Sequence, residues 1–333
     1  MDRKHIVVCT EIKNSSWRWI SHHFSDSYQW SFCRVRNSSN GLLVIIFRLM
    51  ASLNAVIKAR RADVIVSHGP YMAFYCALFI WMFRLKTPHI SYSFNFAELP
   101  SGVALKRMKL LFKRVNCFVV SSDMERALYS EYFDIPIEQI DFVRWGVAEP
   151  DFNLQASILD KPYISTVGGN ARDYKTFMAA MAELPDITAI AVMRPGNLVG
   201  LDVPKNVTVL VNISRDEALS VIKHSVLTVL PLMGSETPCG HVTIVVAMYL
   251  GVPCVVTDSS GVSDYVTDNE TGMLCEPNSL DKMKQAITHL RADEMLGTKL
   301  AENAEIFVRE NCSEKSYVFH FKSFINRVCI NEK

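Results

Sequence analysis

The sequence predicts an α/β protein made of two doubly wound, parallel-sheet domains of the Rossmann-like kind. Three observations predict it. The chain has 333 residues, too many for one ordinary core and suited to two domains of about 150 residues each. Short β-branched runs alternate with longer helical stretches along its whole length. Finally, the stretch from Pro231 to Pro277 lays out a complete parallel unit. A buried strand runs into a polar, glycine-containing loop, the loop opens a short apolar helix ending at Gly251-Val-Pro253, and a second apolar strand follows.

In chain order, the first half offers strands at His5–Cys9, Val64–Ser67, His89–Ser93, Cys117–Val120 and Asp141–Arg144. Each is a short apolar or β-branched run bounded by polar or turn residues. The second half offers Tyr163–Val167, Ile187–Val192, Val207–Val211, Val226–Leu230 and Cys254–Thr257. Helical stretches such as Ala104–Lys113, Met124–Glu131 and Leu280–Leu290 lie between them. A linker is expected over 149–161, from Glu149-Pro150-Asp151 to Asp160-Lys161, which gives domains at 1–150 and 151–312. In the remaining segment, 313–333, Tyr317, Val318, Phe321, Phe324 and Ile325 form a helical apolar stripe.

Hydrophobic residues make up 49% of the chain and charged residues 21%, with a net charge of +1. That balance gives no reason to expect a nucleic-acid partner. The charge is unevenly spread: residues 1–150 hold nineteen Lys and Arg against twelve Asp and Glu, and the rest holds sixteen against twenty-two. A basic first half suggests an anionic surface or substrate on that side. The nine cysteines include no Cys-x-x-Cys pair, and Cys9, Cys117 and Cys254 lie in apolar runs. They read as reduced core thiols. Only four apolar residues follow the polar start, and the longest apolar run, Tyr71–Phe83, has thirteen residues, against about 20 for a spanning helix. The expectation is a cytoplasmic protein.

Several loops at the carboxyl ends of predicted strands carry chemistry. Gly168-Gly169-Asn170 follows Tyr163–Val167, with Arg172 and Lys175 close behind. A Gly-Gly after a strand is by itself an ordinary turn. With an Arg and a Lys it becomes a candidate phosphate loop, since Arg offers a bidentate fork and Lys a point charge. Gly240-His241-Val242-Thr243 opens the apolar helix. Free backbone N–H groups and the positive end of the helix dipole suit an anion there, although a plain helix start with Thr near the cap reads the same way. His241 either touches the anion or is merely exposed. Glu236 is the carboxylate of that loop, either a sugar-hydroxyl ligand or a solvated charge. In the first half His68 and Asn95 fall in loops after strands, as polar ligands or as turn residues. Lys106, Arg107, Lys109, Lys113 and Arg114 share one amphipathic helix with Leu and Phe, which suits either an anionic membrane surface or a solvated basic face. No metal-ligand cluster is evident.

The pattern Gly-x-x-Thr at 240–243, then Ala247-Met-x-x-Gly251-x-Pro253-x-Val-x-Thr257-Asp258, Gly261-x-x-Asp264-Tyr265 and Thr271-Gly-x-Leu274 resembles the donor half of family 4 (group 1) retaining glycosyltransferases. The resemblance is good over about residues 160–290 and looser before. It implies the GT-B fold, two such domains facing a cleft, and transfer of a sugar from a nucleotide-diphosphate donor with retention of configuration and without a metal or other cofactor. The acceptor implied is a glycan or lipid-linked saccharide, held mostly by the first domain, as in polysaccharide or glycoconjugate synthesis.

Carried onto this sequence, the resemblance implies that Arg172 and Lys175 hold the diphosphate together with Gly168, Gly169, Asn170 and the amides of Gly240–Thr243. Family members often place a histidine near the donor sugar in the loop where Asn95 stands here, which makes His68 the candidate for that role and Asn95 an acceptor-side ligand. The terminal helix is expected to return to the first domain. One departure stands out. Of the family's two glutamates eight positions apart, the second is Val246 and the first is Pro238, leaving Glu236 to serve from a shifted loop. A catalytically silent nucleotide-sugar-binding partner or sensor is therefore the alternative. A nucleotide-linked dehydrogenase is disfavoured, because no Gly-x-Gly-x-x-Gly follows a strand.

Overall fold

A computed structural model gives the fold and describes residues 3–12, 18–96, 98–150, 156–234 and 238–330. The chain divides into two units, Met1–Arg144 with Tyr317–Lys333, and Trp145–Ser316. Each is organised around one six-stranded sheet in which every pairing is parallel.

The first sheet contains β1 (Lys4–Thr10), β2 (Tyr28–Arg34), β3 (Val64–His68), β4 (His89–Tyr92), β5 (Cys117–Val120) and β6 (Ile140–Phe142). Its helices are the short α1 (Arg18–Ser21), α2 (Gly41–Ala59), α3 (Pro70–Phe83), α4 (Gly102–Phe112) and α5 (Asp123–Phe133). The strand order is β2-β1-β3-β4-β5-β6, so the chain steps one way from β1 to β2 and returns to the other side of β1 for β3. Ile6, Val7, Val8 and Cys9 are all fully buried, as a parallel strand covered on both faces requires. Alternate residues serve different cores: Ile6 and Val8 join one, and Val7 and Cys9 pack with the buried side of α2 and α3.

The second sheet contains β7 (Ile164–Val167), β8 (Ala189–Met193), β9 (Val207–Val211), β10 (Leu227–Leu230), β11 (Cys254–Thr257) and β12 (Met273–Cys275). Its helices are α6 (Tyr174–Ala182), α7 (Arg215–Lys223), α8 (His241–Tyr249), α9 (Leu280–Ala292) and α10 (Glu294–Asn311). The order is β12-β11-β10-β7-β8-β9, with the reversal between β7 and β10. Local chemistry starts these helices. Asp173 accepts from the Thr176 N–H, Ser214 and Glu217 form a reciprocal capping box, and Ser279 and Asp293 cap α9 and α10.

The last helix, α11 (Glu314–Ile330), buries Tyr317, Phe321, Phe324, Ile325 and Val328 in the core of the first unit with Ile6, Val8 and Tyr92. The Arg327 guanidinium pairs there with the Asp141 carboxylate.

Several elements differ from expectation. Strand β2 was not predicted: Gln29 and Arg34 break its hydrophobicity because it is an edge strand, and its aromatic side chains Trp30 and Phe32 stack on each other at 6.1 Å. Helix α2, at 19 residues, is longer than the apolar run Tyr71–Phe83, and its length was not read from the sequence because Arg48, Asn54 and Lys58 interrupt its apolarity. The five expected cations do not share one helix. Lys113 is the C-cap of α4, Arg114 lies beyond it, and Lys109 pairs with Asp134 at 3.0 Å. None of the nine cysteines is in a disulfide, and seven of them are buried.

Candidate functional site

In an open parallel sheet the place to look is the crevice beyond the carboxyl ends of the strands where the strand order reverses. In the second unit that is the end of β7 and β10. The loop after β7 (168–173) and the loop after β10 (231–240) are joined backbone to backbone: the Asp173 N–H donates to Pro231 O at 2.8 Å and the Met233 N–H to Ala171 O at 3.0 Å.

Arg172 lies between them, 5% exposed. Its Nη2 donates to Val167 O at 3.2 Å and to Thr243 Oγ1 at 3.1 Å, and Nη1 donates to Asn170 O at 3.0 Å. Nε has no hydrogen-bond partner among the described residues, and no carboxylate pairs with the guanidinium among them. Burial lowers its pKa below the ordinary arginine value, but arginine remains charged at neutral pH. The result is a buried cation compensated by neutral oxygens, a costly arrangement for a charge without a counter-ion.

Glycines keep the approach to it open. A Cβ on Gly168, which sits at φ +135°, would lie 2.5 Å from Arg172 Nη2, and one on Gly240, at φ +93°, would lie 3.0 Å from a Leu232 methyl and 3.6 Å from Arg172 Nη1. Gly240 is the N-cap of α8 and has no capping side chain. Its carbonyl receives the N–H groups of Thr243 and Ile244, while the N–H groups of His241 and Val242 belong to the first turn, which has no partners within the helix. The groups assembled here are a guanidinium, a hydroxyl and a helix N-terminus, all suited to an oxyanion.

The other candidates fall in several places. Gly169 and Asn170 border a second arginine, Arg194, at the end of β8. A Cβ on Gly169 would come within 2.5 Å of its side chain, and Arg194 Nη1 donates to Asn170 Oδ1 at 2.7 Å. Arg194 and Asn197, whose amide donates to Gly169 O at 3.0 Å, were not singled out from the sequence. The signal was available, since Arg194 directly follows an apolar strand and precedes Pro195-Gly196. Lys175 is exposed in the first turn of α6 and shares no hydrogen bond or ion pair with Arg172 among the described residues.

His241 is neither exposed nor charged. It is 8% exposed, its ring stacks on Tyr265 at 4.4 Å, and burial lowers its pKa to about 4 against a hydrogen bond to the Gly261 backbone. Val242 is exposed, so what it offers to a ligand is its amide. Glu236 lies outside the described residues. Val246 and Pro238, at the positions of the missing glutamates, are both buried, and Val246 packs in the core under α8.

The first unit has its own reversal, between β1 and β3. His68 ends β3, with Nδ1 3.4 Å from Thr10 Oγ1 at the end of β1. Burial lowers its pKa to about 4, leaving a neutral ring. Gly69, at φ +87°, turns the chain into α3. Asn95, in the loop after β4, donates from Nδ2 to Glu125 Oε1 at 2.6 Å. Glu125 is fully buried at the start of α5 and also accepts from Tyr129 Oη at 2.9 Å and the Ser121 N–H at 3.2 Å. Burial outweighs these donors and raises its pKa to about 7. Glu125 was also missed. In sequence it looks like an ordinary acidic residue in a helix's first turn, and nothing local signals its burial.

With the geometry in place, the likenesses to known proteins are informative. Residues 200–307 match the family model described as glycosyl transferases group 1. That segment carries β9 to β12, the loop after β10 and helix α8. Among solved structures, sucrose-phosphate synthase from Thermosynechococcus elongatus superposes with a TM-score of 0.76 at 15% identity, covering 98% of this chain and 99% of that one. HepE from Anabaena, solved in complex with UDP, gives 0.75 at 14% identity, with 98% and 100% covered. A glycosyltransferase from Rickettsia africae gives 0.73 at 13%, with 98% and 99% covered. No curated protein matches the chain in sequence. The two parallel six-stranded sheets with flanking helices are therefore those of the GT-B glycosyltransferase fold.

Proposed function

We propose that the protein is a glycosyltransferase that moves a sugar from a nucleotide-diphosphate donor to a glycan or lipid-linked acceptor with retention of anomeric configuration, in the assembly of a polysaccharide or glycoconjugate. The observation that carries this reading is Arg172, a buried guanidinium without a carboxylate partner among the described residues, set beside a glycine-capped helix N-terminus and flanked by glycines. A diphosphate would supply the missing counter-charge. The group 1 family match over 200–307 and the UDP held by the Anabaena neighbour support a nucleotide-sugar donor.

In this reading the bond between the anomeric carbon and the β-phosphate oxygen breaks, and the acceptor oxygen bonds to that carbon on the same face. The acceptor's proton passes to a phosphate oxygen of the departing nucleoside diphosphate. Arg172, Thr243 and the amides of Gly240–Val242 offset the charge that grows on the leaving phosphate, a preorganised electrostatic role. Gly168, Gly169 and Asn170 shape the loop, and Arg194 gives a second cation at its rim. Lys175 and Glu236 are assigned to the donor by resemblance alone. On the first unit, His68 offers a neutral hydrogen-bonding ring, and Asn95, oriented by Glu125, offers an amide to a sugar hydroxyl. No metal is required, because the cationic groups are the protein's own.

The test is calorimetry with UDP on wild type and Arg172→Ala, beside turnover of a panel of nucleotide sugars. A charge-assisted contact to phosphate contributes about 1.5–3 kcal/mol, so affinity should fall by roughly ten- to a hundredfold and turnover with it. Equal UDP affinity in both proteins would remove Arg172 from the site. Nucleotide binding with no sugar transfer or hydrolysis would make the protein a binder and not an enzyme.

A further inference from the structure

A crossover helix on a doubly wound sheet ordinarily turns apolar residues to the sheet and polar ones to water. Helix α2 does not. Its sheet side is Ala51, Ser52, Ala55, Val56 and Ala59, all buried. Its outer side carries Leu43, Ile46, Met50 and Ile57 at helical spacing, with Leu42 68% and Met50 59% exposed. By length and composition α2 could cross a bilayer, but its packing against the sheet makes it a surface helix.

Helix α3 continues the apolar face. It holds no charged residue over Pro70–Phe83, and Tyr71, Trp81, Met82 and Phe83 are exposed. The Arg48 guanidinium lies over the Tyr71 ring at 4.4 Å and that of Arg60 over the Phe83 ring at 5.3 Å. The two helices therefore run side by side in the same direction, and their outer stripes adjoin.

Cations gather where these helices end. Arg60 and Arg61 follow α2, Arg84 and Lys86 follow α3, and Lys113 and Arg114 follow α4. None forms an ion pair among the described residues. Trp81, Met82, Arg84, Lys86 and Arg114 line a hollow of about 770 Å³. A neighbouring hollow adds Lys113 and Arg327, with Glu138 as its acid. Across residues 37–122 the chain holds eleven Lys and Arg against only Asp63 and Glu98, and the Asp63 carboxylate already accepts from the His5 N–H at 2.7 Å. Cations at helix C-termini are ordinary partners of the helix dipole. An apolar stripe on the solvent side of two adjoining helices, rimmed by such cations, is not ordinary for a soluble surface.

We propose that this face docks the protein on an anionic membrane. The stripes of α2 and α3 enter the boundary between headgroups and acyl chains, and Arg84, Lys86 and Arg114 gather lipid phosphates around the Trp81 hollow. The contact therefore lies on α2 and α3 and the basic end they share with α4, not on α4 alone. The inference does not depend on the sugar-transfer reading, because vesicle binding and nucleotide binding are measured separately and either can fail without the other.

Co-sedimentation of the full chain with phosphatidylglycerol-containing vesicles tests it, against pure phosphatidylcholine and at rising salt. Wild type should bind the anionic vesicles and release with salt. The triple variant Arg84→Gln, Lys86→Gln, Arg114→Gln should lose at least about tenfold in affinity, as should Leu42→Ser, Ile46→Ser, Met50→Ser. A control that removes the same charge at exposed positions elsewhere, Lys282→Gln, Lys299→Gln, Lys322→Gln, should stay within about twofold. Circular dichroism melting of each variant separates lost docking from lost folding. Equal binding to neutral and anionic vesicles, or equal losses in the control, would overturn the proposal. So would concentration-dependent dimers abolished by the serine variant without vesicle binding, which would assign the face to a second copy.

Discussion

At the reversal of the second sheet, the loop after β7 folds over a guanidinium that touches Val167 O, Asn170 O and Thr243 Oγ1 within 3.2 Å, and a glycine-capped helix starts beside it. At the reversal of the first sheet, the last residue of a similarly placed strand is His68, a neutral imidazole 3.4 Å from Thr10 Oγ1. The neighbouring loop there ends in an amide, Asn95, held by a buried carboxyl. The same winding thus builds one crevice with positive charge and another with neutral hydrogen-bonding groups. Topology decides where a site can form, and the residues delivered there decide what it binds. A diphosphate suits the first kind of lining and an uncharged polyol the second.

The largest stability effect that would sharpen this contrast lies in the first unit. Glu125 has its pKa raised from 4.5 to about 7. A raised folded pKa means that the folded state holds the proton more tightly. The resulting stabilisation is complete below about pH 4.5 and is lost as pH rises through about 7, on the order of 3 kcal/mol in all. Denaturant unfolding across that range should show the decline, and Glu125→Gln should flatten it. A wild-type curve that is flat or rises over the same window would mean that the buried group is already ionised.

Next comes a matched pair of glycines. Gly168→Ala places a Cβ at φ +135° against the Arg172 guanidinium, whereas Gly69→Ala, at φ +87°, meets nothing within 4 Å. Both should lose about 1–3 kcal/mol through backbone strain. Only Gly168→Ala should also weaken nucleoside diphosphate binding in calorimetry, because only there does the new methyl displace the guanidinium. Equal affinity losses in the two variants would break the division of labour between the sheets. The smallest effect expected is that of Thr243→Val. It removes one acceptor from Arg172 Nη2 but leaves Val167 O in place, so it should cost about 0.5–1.5 kcal/mol in nucleotide affinity with little change in melting temperature.

Most of the fold was legible because its signals are local. Buried parallel strands such as Ile6–Cys9 and Cys254–Thr257 are continuous apolar runs, and stretches such as Ala104–Lys113 and Leu280–Leu290 read as helices between them. Strand β2 escaped because edge strands need no such continuity, and α2 because scattered polar residues hid its length. The loops after β7 and β10 could be chosen from the sequence, since Gly168 and Arg172 follow the apolar run Tyr163–Val167 within five residues and Gly240 and Thr243 open the apolar stretch 244–250.

The amino-acid order by itself determined that these glycines, cations and hydroxyls stand at the ends of strands, because that depends only on neighbours in the chain. Only the tertiary structure decided that Arg172 is buried under Gly168 and against Thr243, that His241 stacks neutral on Tyr265, that Glu125 holds Asn95, and that α2 turns an apolar stripe outward. Each of those outcomes joins residues far apart in the chain or sets which side of a helix meets the sheet. Burial and charge compensation arise from contacts between segments, and no local pattern encodes them.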